Sequence, residues 1–235
     1  MDSPSPRPPG DTAAPSRTVR VWDLPTRAFH WLLVVLVVVN IYTGNVGGVA
    51  NMEWHMLSGY AILTLVLFRL AWGLVGSRHS RFASFIRGPL AALAYLRSLG
   101  SKAYIGSIGH NPLGGWSVAA MLTSLLIQAG TGLFADDDIL TEGPLARSVS
   151  KATRRLLTGI HDINANVLYV LIGLHLAAVS YYLLVRRDNL VLPMLTGRKQ
   201  VQEGSAVRNE PFVSPWLAML LVGLAGALVW WLVDR

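Results

Sequence analysis

Five apolar runs dominate the chain, separated by polar stretches. Their length and lack of charge predict membrane-spanning helices over 29–43, 54–75, 113–134, 157–185 and 216–233. The last opens on Ser214-Pro215, a helix-start signature. The first follows Arg17, Arg20 and Arg27 and has the look of a signal peptide, but cleavage would discard His30, so an uncleaved span is expected. Residues 1–18, rich in proline, read as a disordered tail. Between spans two and three, 89–99 repeats apolar residues at Leu90, Leu93, Tyr95, Leu96 and Leu99, which suits a helix lying on the membrane surface. On the opposite side, 144–157 sets Leu145, Val149 and Leu156 against Arg147, Lys151, Arg154 and Arg155 and reads as a second such helix, after an acidic patch at Asp136-Asp137-Asp138 and Glu142. Both read as solvated faces. No tandem repeat is visible. The expected fold class is all-α: an integral membrane bundle with a four-helix core within 19–200, then 201–235 as a linker and a fifth C-terminal transmembrane helix.

Composition agrees. The 235 residues are 52% hydrophobic and 14% charged, with a mean hydropathy of +0.45, too apolar for an ordinary soluble domain. The net charge of +7 points to positive cytoplasmic loops, since no nucleic-acid motif is present and no nucleic-acid partner is expected. Fourteen Lys and Arg lie on the N-terminal side of the membrane and five on the other, which predicts a cytoplasmic N-terminus and an external C-terminus. Trp22, Trp54, Trp72, Trp116, Trp216 and Trp231 fall near span ends, as an interfacial belt in membrane lipid requires.

The chemistry lies in the histidines. His161 and His175 are fourteen residues apart on the fourth span. At about 100° and about 1.5 Å per residue they share a face and lie about 21 Å apart, near opposite sides of the hydrocarbon core. One metal ion cannot bind both, whereas two stacked cofactors can. His30 begins an outward-running span on the cytoplasmic side, and His55 begins an inward-running span on the outer side. The layers therefore pair His55 with His161 and His30 with His175. A haem iron has two axial positions for two facing imidazoles. The absence of cysteine excludes iron–sulfur clusters and covalent haem attachment, leaving two non-covalent haems b. Arg69, fourteen after His55, faces the inner layer, where a cation suits haem propionates. Gly44, fourteen after His30, leaves a flat macrocycle room at the outer layer. Gly130, Gly132, Gly159 and Gly173 read as helix-contact positions. His79 and His110, in the cytoplasmic connection, read as surface or turn residues.

The stretch from Val21-Trp22-Asp23-Leu24-Pro25-Thr26-Arg27 to Ala28-Phe29-His30-Trp31 resembles the opening motif of bacterial cytochrome b561 and of the related b-type subunits of nickel–iron hydrogenases and formate dehydrogenases. Phe68 to Gly73, His110 to Gly115, Gly132-Leu133-Phe134 and Pro193 to Lys199 are similar to further stretches of that family, and the likeness covers about 20 to 199. The resemblance implies a four-helix bundle holding two haems b on His30, His55, His161 and His175; Arg27, with Arg69 and Gly44, is expected among the cofactor-contacting residues. It implies electron transfer in a bacterial inner membrane, with a periplasmic C-terminus, between quinone and a redox partner such as a c-type cytochrome or a dehydrogenase subunit. A stand-alone cytochrome b561 that oxidises superoxide and reduces quinone is the alternative, with the outer basic stretch attracting the anion. A proton-relay transporter predicts a colourless protein. A di-metal enzyme needs clustered ligands, which the layer separation of about 21 Å denies.

Overall fold

The computed structural model describes residues 16–98, 108–137, 141–202 and 210–234. Local sequence sets the helix ends. In α1 (Leu24–Val46) the Asp23 carboxylate accepts from the Thr26 N–H at 2.8 Å, and Pro25 occupies the first turn. Gly47 and Gly48, at φ 68° and 85°, then reverse the chain into α2 (Val49–Val75). Two short helices, α3 (Phe82–Phe85) and α4 (Pro89–Ser98), lie at the end of the bundle where α1 begins, called the inner end. Leu90, Leu93 and Leu96 of α4 stay exposed, as a membrane-surface helix requires. In α5 (Pro112–Gly132) Asn111 caps the Gly114 N–H at 2.6 Å, and the next long helix is α6 (Lys151–Leu184). The chain closes with α7 (Val191–Thr196) and α8 (Pro215–Val233).

Five of these helices, α1, α2, α5, α6 and α8, are long and apolar enough to cross a membrane. Helix α2 is the hub, packed against α1, α5 and α8, while α5 pairs with α6. Outward faces remain apolar, with Val35, Val38, Val170, Leu174, Leu220 and Trp230 exposed, whereas Thr43, Ser58, Ser124 and Asn164 are buried. That is the pattern of a bundle solvated by lipid: apolar surface outward, polar side chains turned inward to partners. Ala218 and Ala225 of α8 pack on Phe68 and Trp72 of α2, and Val229 packs on Leu63.

Two features depart from the sequence reading. A two-stranded antiparallel ribbon joins β1 (Ser16–Arg20) to β2 (Arg198–Gln202), in register from Ser16 with Gln202 to Arg20 with Arg198. Its first strand starts inside the stretch expected to be tail. The Val21 and Trp22 N–H groups extend it by donating to the Gly197 carbonyl at 2.8 and 3.3 Å, and Gly197 adopts φ 78° to present it. Val19, Val21 and Trp22 bury their side chains against Ile108, Met194 and Val201, which ties the entry of α1 to the segment after α6. Secondly, 144–157 is not a separate surface helix. Ala146–Ser148 form one 3-10 turn, Ser150 caps Thr153, and Lys151 starts α6 itself. With that cap and no breaker before Thr158, the polar turns run straight into the span.

Candidate functional site

The helices bring the four span histidines into two pairs. His55 on α2 faces His161 on α6 with ring centroids 6.3 Å apart, and His30 on α1 faces His175 on α6 at 6.4 Å. Two imidazoles bonded at about 2 Å to opposite sides of one metal ion have centroids about 6 Å apart, so both pairs have the spacing of an axial ligand set. All four rings are half-buried. Around the outer pair lies a cavity of about 290 Å³, walled by Asn40, Tyr60, Ile62, Leu125, Gly132 and Leu168.

Hydrogen bonds fix the outer rings. His55 Nδ1 lies 3.0 Å from the Asn40 carbonyl and His161 Nδ1 lies 2.9 Å from the Gln128 carbonyl. A carbonyl only accepts, so each Nδ1 carries the proton and each Nε2 keeps its lone pair for a metal. Asn40 Nδ2 donates to the His55 carbonyl and to Ser58 Oγ, at 2.9 and 3.0 Å, while Asn164 Nδ2 donates to the Ser124 carbonyl and to Gln128 Oε1, at 2.9 and 2.7 Å. These amides were not singled out from sequence; their signal was polar side chains inside apolar runs. A Cβ at Gly44 would meet the His55 ring at 2.9 Å, so this glycine lets the imidazole close on the α1 backbone. The space it leaves is taken by the imidazole itself.

The inner layer is built differently. Arg69 is buried, its guanidinium lies 5.0 Å from the Phe82 ring, and among the described residues its NH1 has no hydrogen-bond partner, nor has His30 Nδ1. Buried polar atoms without partners are rare and point to a missing group. Arg27, expected beside a cofactor, donates from NH1 to the Leu195 carbonyl at 2.5 Å, which places it at the inner rim against α7. His79 and His110 are not surface residues: both are half-buried, and His110 packs on Phe85 and Trp22 with centroids at 4.4 and 4.8 Å. Burial, with Arg69, His79, His175 and His30 nearby, holds the His110 imidazole down at about 3. Burial and then Arg78 lower His79, with Glu210 opposing.

Asp23 organises this end. It is fully buried and, beyond its cap, accepts from Trp72 Nε1 at 3.1 Å and Ser80 Oγ at 3.0 Å. One carboxylate thus joins α1, which carries His30, to α2, which carries Arg69.

The family model for prokaryotic cytochrome b561 matches residues 21–197, a stretch that contains all four span histidines. This chain belongs to the prokaryotic cytochrome b561 family. Its members are membrane electron carriers with b haem, and this cytochrome is accordingly a multi-pass, helical membrane protein. The matched stretch ends before β2 and excludes α8. A probable Ni/Fe-hydrogenase B-type cytochrome subunit from Bradyrhizobium diazoefficiens is 21% identical over 232 residues, covering 83% of this cytochrome and 91% of the relative. No solved structure matches the chain.

Proposed function

We propose that this cytochrome holds two haems b, one between His55 and His161 and one between His30 and His175, and carries electrons across a bacterial inner membrane between quinone and a redox partner protein. The observation that supports it most is the spacing of the imidazole pairs, 6.3 and 6.4 Å, in layers about 21 Å apart. Each haem, when bound, supplies a one-electron iron couple.

The remaining work falls to the protein. His55 and His161 keep Nδ1 protonated against carbonyls and present Nε2. Arg69 offers a buried cation to a propionate at the inner layer, and Arg27 a second at its rim. Ile62, Val66, Leu125 and Leu168 form an apolar wall between the layers that keeps water out. The Lys and Arg bias supports a cytoplasmic inner end and a periplasmic C-terminus. Likeness to a hydrogenase cytochrome subunit supports a partner that is a subunit of a redox enzyme complex, and a dehydrogenase subunit or a c-type cytochrome is the kind of partner proposed.

The test is the visible spectrum of the purified, reduced protein with haem quantified per chain. Two b haems and no c haem are expected; one haem or none overturns the reading. The second reading, superoxide oxidation with quinone reduction, is favoured by a polar recess of about 220 Å³ next to the outer pair, lined by Lys151, Arg154 and Arg155. Its pull on an anion is blunted, because Arg154 pairs with Asp136 at 3.0 Å and Arg147 with Glu142 at 2.7 Å, and Asp162 also lines the recess. Quinone reduction by superoxide without any partner would decide for it.

A further inference from the structure

The outer site is made twice from one pattern. On α1 and α2 the pattern is Asn40, Thr43, Gly44, His55 and Ser58; on α5 and α6 it is Gln128, Thr131, Gly132, His161 and Asn164. Four kinds of contact recur in both halves, the amide bridge with its donor on opposite sides. The histidine Nδ1 meets the main-chain carbonyl of the amide residue at 3.0 Å in one half and 2.9 Å in the other. The threonine hydroxyl donates to that same carbonyl at 3.2 Å in both halves, and to the carbonyl before it at 2.8 and 2.6 Å. A Cβ on the glycine would meet the ring at 2.9 Å in one half and 3.0 Å in the other. The amide side chain of Asn40 or Gln128 bonds the polar residue three beyond the histidine, Ser58 or Asn164, at 3.0 and 2.7 Å.

Each part has a physical task. A helical carbonyl already accepts from the N–H four residues on, so it needs to be tilted outward to take a further donor. Threonine bonded back to the carbonyls three and four residues earlier produces that bend. Glycine one residue later removes the Cβ that would hold the imidazole off the backbone. The amide bridge then locks the two helices in register.

The inner layer lacks this arrangement. Fourteen residues beyond the outer histidine, α6 carries His175 but α2 carries Arg69, and His30 on α1 has Val118 as its register match on α5. His30 Nδ1 has no partner among the described residues.

We propose that 40–58 and 128–164 are two copies of one histidine holder, in which Thr43, Gly44, Thr131 and Gly132 are positioning residues for the outer haem alone. The inference rests on the ligation reading above. By seating each Nδ1 proton on a carbonyl, the holder raises the basicity of both outer ligands and fixes the angle between their planes.

The experiment uses the full-length haem-loaded protein, with a redox titration and low-temperature EPR of the low-spin haems. Gly44→Ala and Gly132→Ala should each raise the outer haem's potential and change its g-values, because the added Cβ lengthens the Nδ1 hydrogen bond and makes the ligand less basic. The inner haem should be unchanged. Gly130→Ala, two residues away with open space around its Cβ position, should match wild type. Thr131→Val should move the outer signal and Thr131→Ser should restore it. An outer haem unmoved by both glycine variants, or moved equally by Gly130→Ala, overturns the holder. A His161→Ala protein that keeps both haems instead overturns the ligation reading beneath it.

Discussion

Single alanine substitutions of the four histidines should sort into two classes. The rings pair across α1 and α6 at the inner end and across α2 and α6 at the outer end, at 6.4 and 6.3 Å. On the proposed ligation, removing either ring of a pair would leave one axial position open, so that haem should be lost or become high-spin, and the count of intact low-spin haems should fall from two to one. The other layer lies about 21 Å away along α6, where even a full unit charge acts through about 0.8 kcal/mol at an effective dielectric of 20, or about 35 mV for one electron. A neutral imidazole is a smaller perturbation, so the untouched haem should keep its midpoint within about 35 mV. Haem quantification, EPR and a redox titration on each variant check this. His30→Ala should match His175→Ala, and His55→Ala should match His161→Ala. The double His30→Ala/His175→Ala protein should keep one normal haem, whereas His30→Ala/His55→Ala should disturb both. A His30→Ala spectrum that matches His161→Ala would refute the pairing.

Asp23→Asn keeps the cap oxygen but turns a donor toward the Trp72 and Ser80 donors, so thermal unfolding in detergent should show a loss of about 1–3 kcal/mol, and Asp23→Ala a larger one. His110 is neutral when folded because its pKa is held at about 3 against about 6.5 when unfolded, so its stabilising contribution is complete above pH 6.5 and is lost as pH falls toward 3. At pH 5 the cost is about 2 kcal/mol, and His110→Gln should lower the acid sensitivity of the unfolding midpoint by that amount while leaving both haems in place. Truncation after Arg208 should lower thermal stability, since Phe68 and Trp72 lose their α8 cover, yet leave haem content unchanged because α8 supplies no histidine. Arg69→Leu should lower the inner haem's potential and spare the outer one, because a buried cation favours the reduced state; a redox titration that moves only the outer midpoint would refute this.

The spans were legible because apolar length is a strong signal and because Pro25, Pro112 and Pro215 mark the first turns of α1, α5 and α8. The grouping of the histidines was legible too, since helical rise and the alternating direction of successive spans bring together the same rings that lie 6.3 and 6.4 Å apart. Other features needed the third dimension. The ribbon pairs Ser16–Arg20 with Arg198–Gln202 across most of the chain, and two five-residue strands rich in charge carry no local pattern that announces such a partner. The Lys151 to Arg155 stretch looked like a surface helix because it is polar, but a polar turn can cap a span when a serine starts it and nothing breaks it. His110 does lie in a loop, but Phe85 and Trp22, which enclose it, are distant in sequence and leave no local signal of its burial. The two histidine holders escaped notice because only threonine and glycine are identical between Val39-Asn40-Ile41-Tyr42-Thr43-Gly44 and Ile127-Gln128-Ala129-Gly130-Thr131-Gly132.

The contrast between the two layers follows from where the symmetry stops. At the outer end both helix pairs present the same group at the same register, and both imidazoles are held by carbonyls. At the inner end α2 presents Arg69 where α6 presents His175, so the second imidazole comes from α1. That exchange puts a buried cation, over the Phe82 ring, in the layer where His30 Nδ1 has no partner among the described residues, at the end of the bundle that the Asp23, Trp72 and Ser80 contacts close. With a haem in each layer, the two differences act in one sense: basic, carbonyl-held ligands favour ferric iron outside, and a buried guanidinium favours ferrous iron inside.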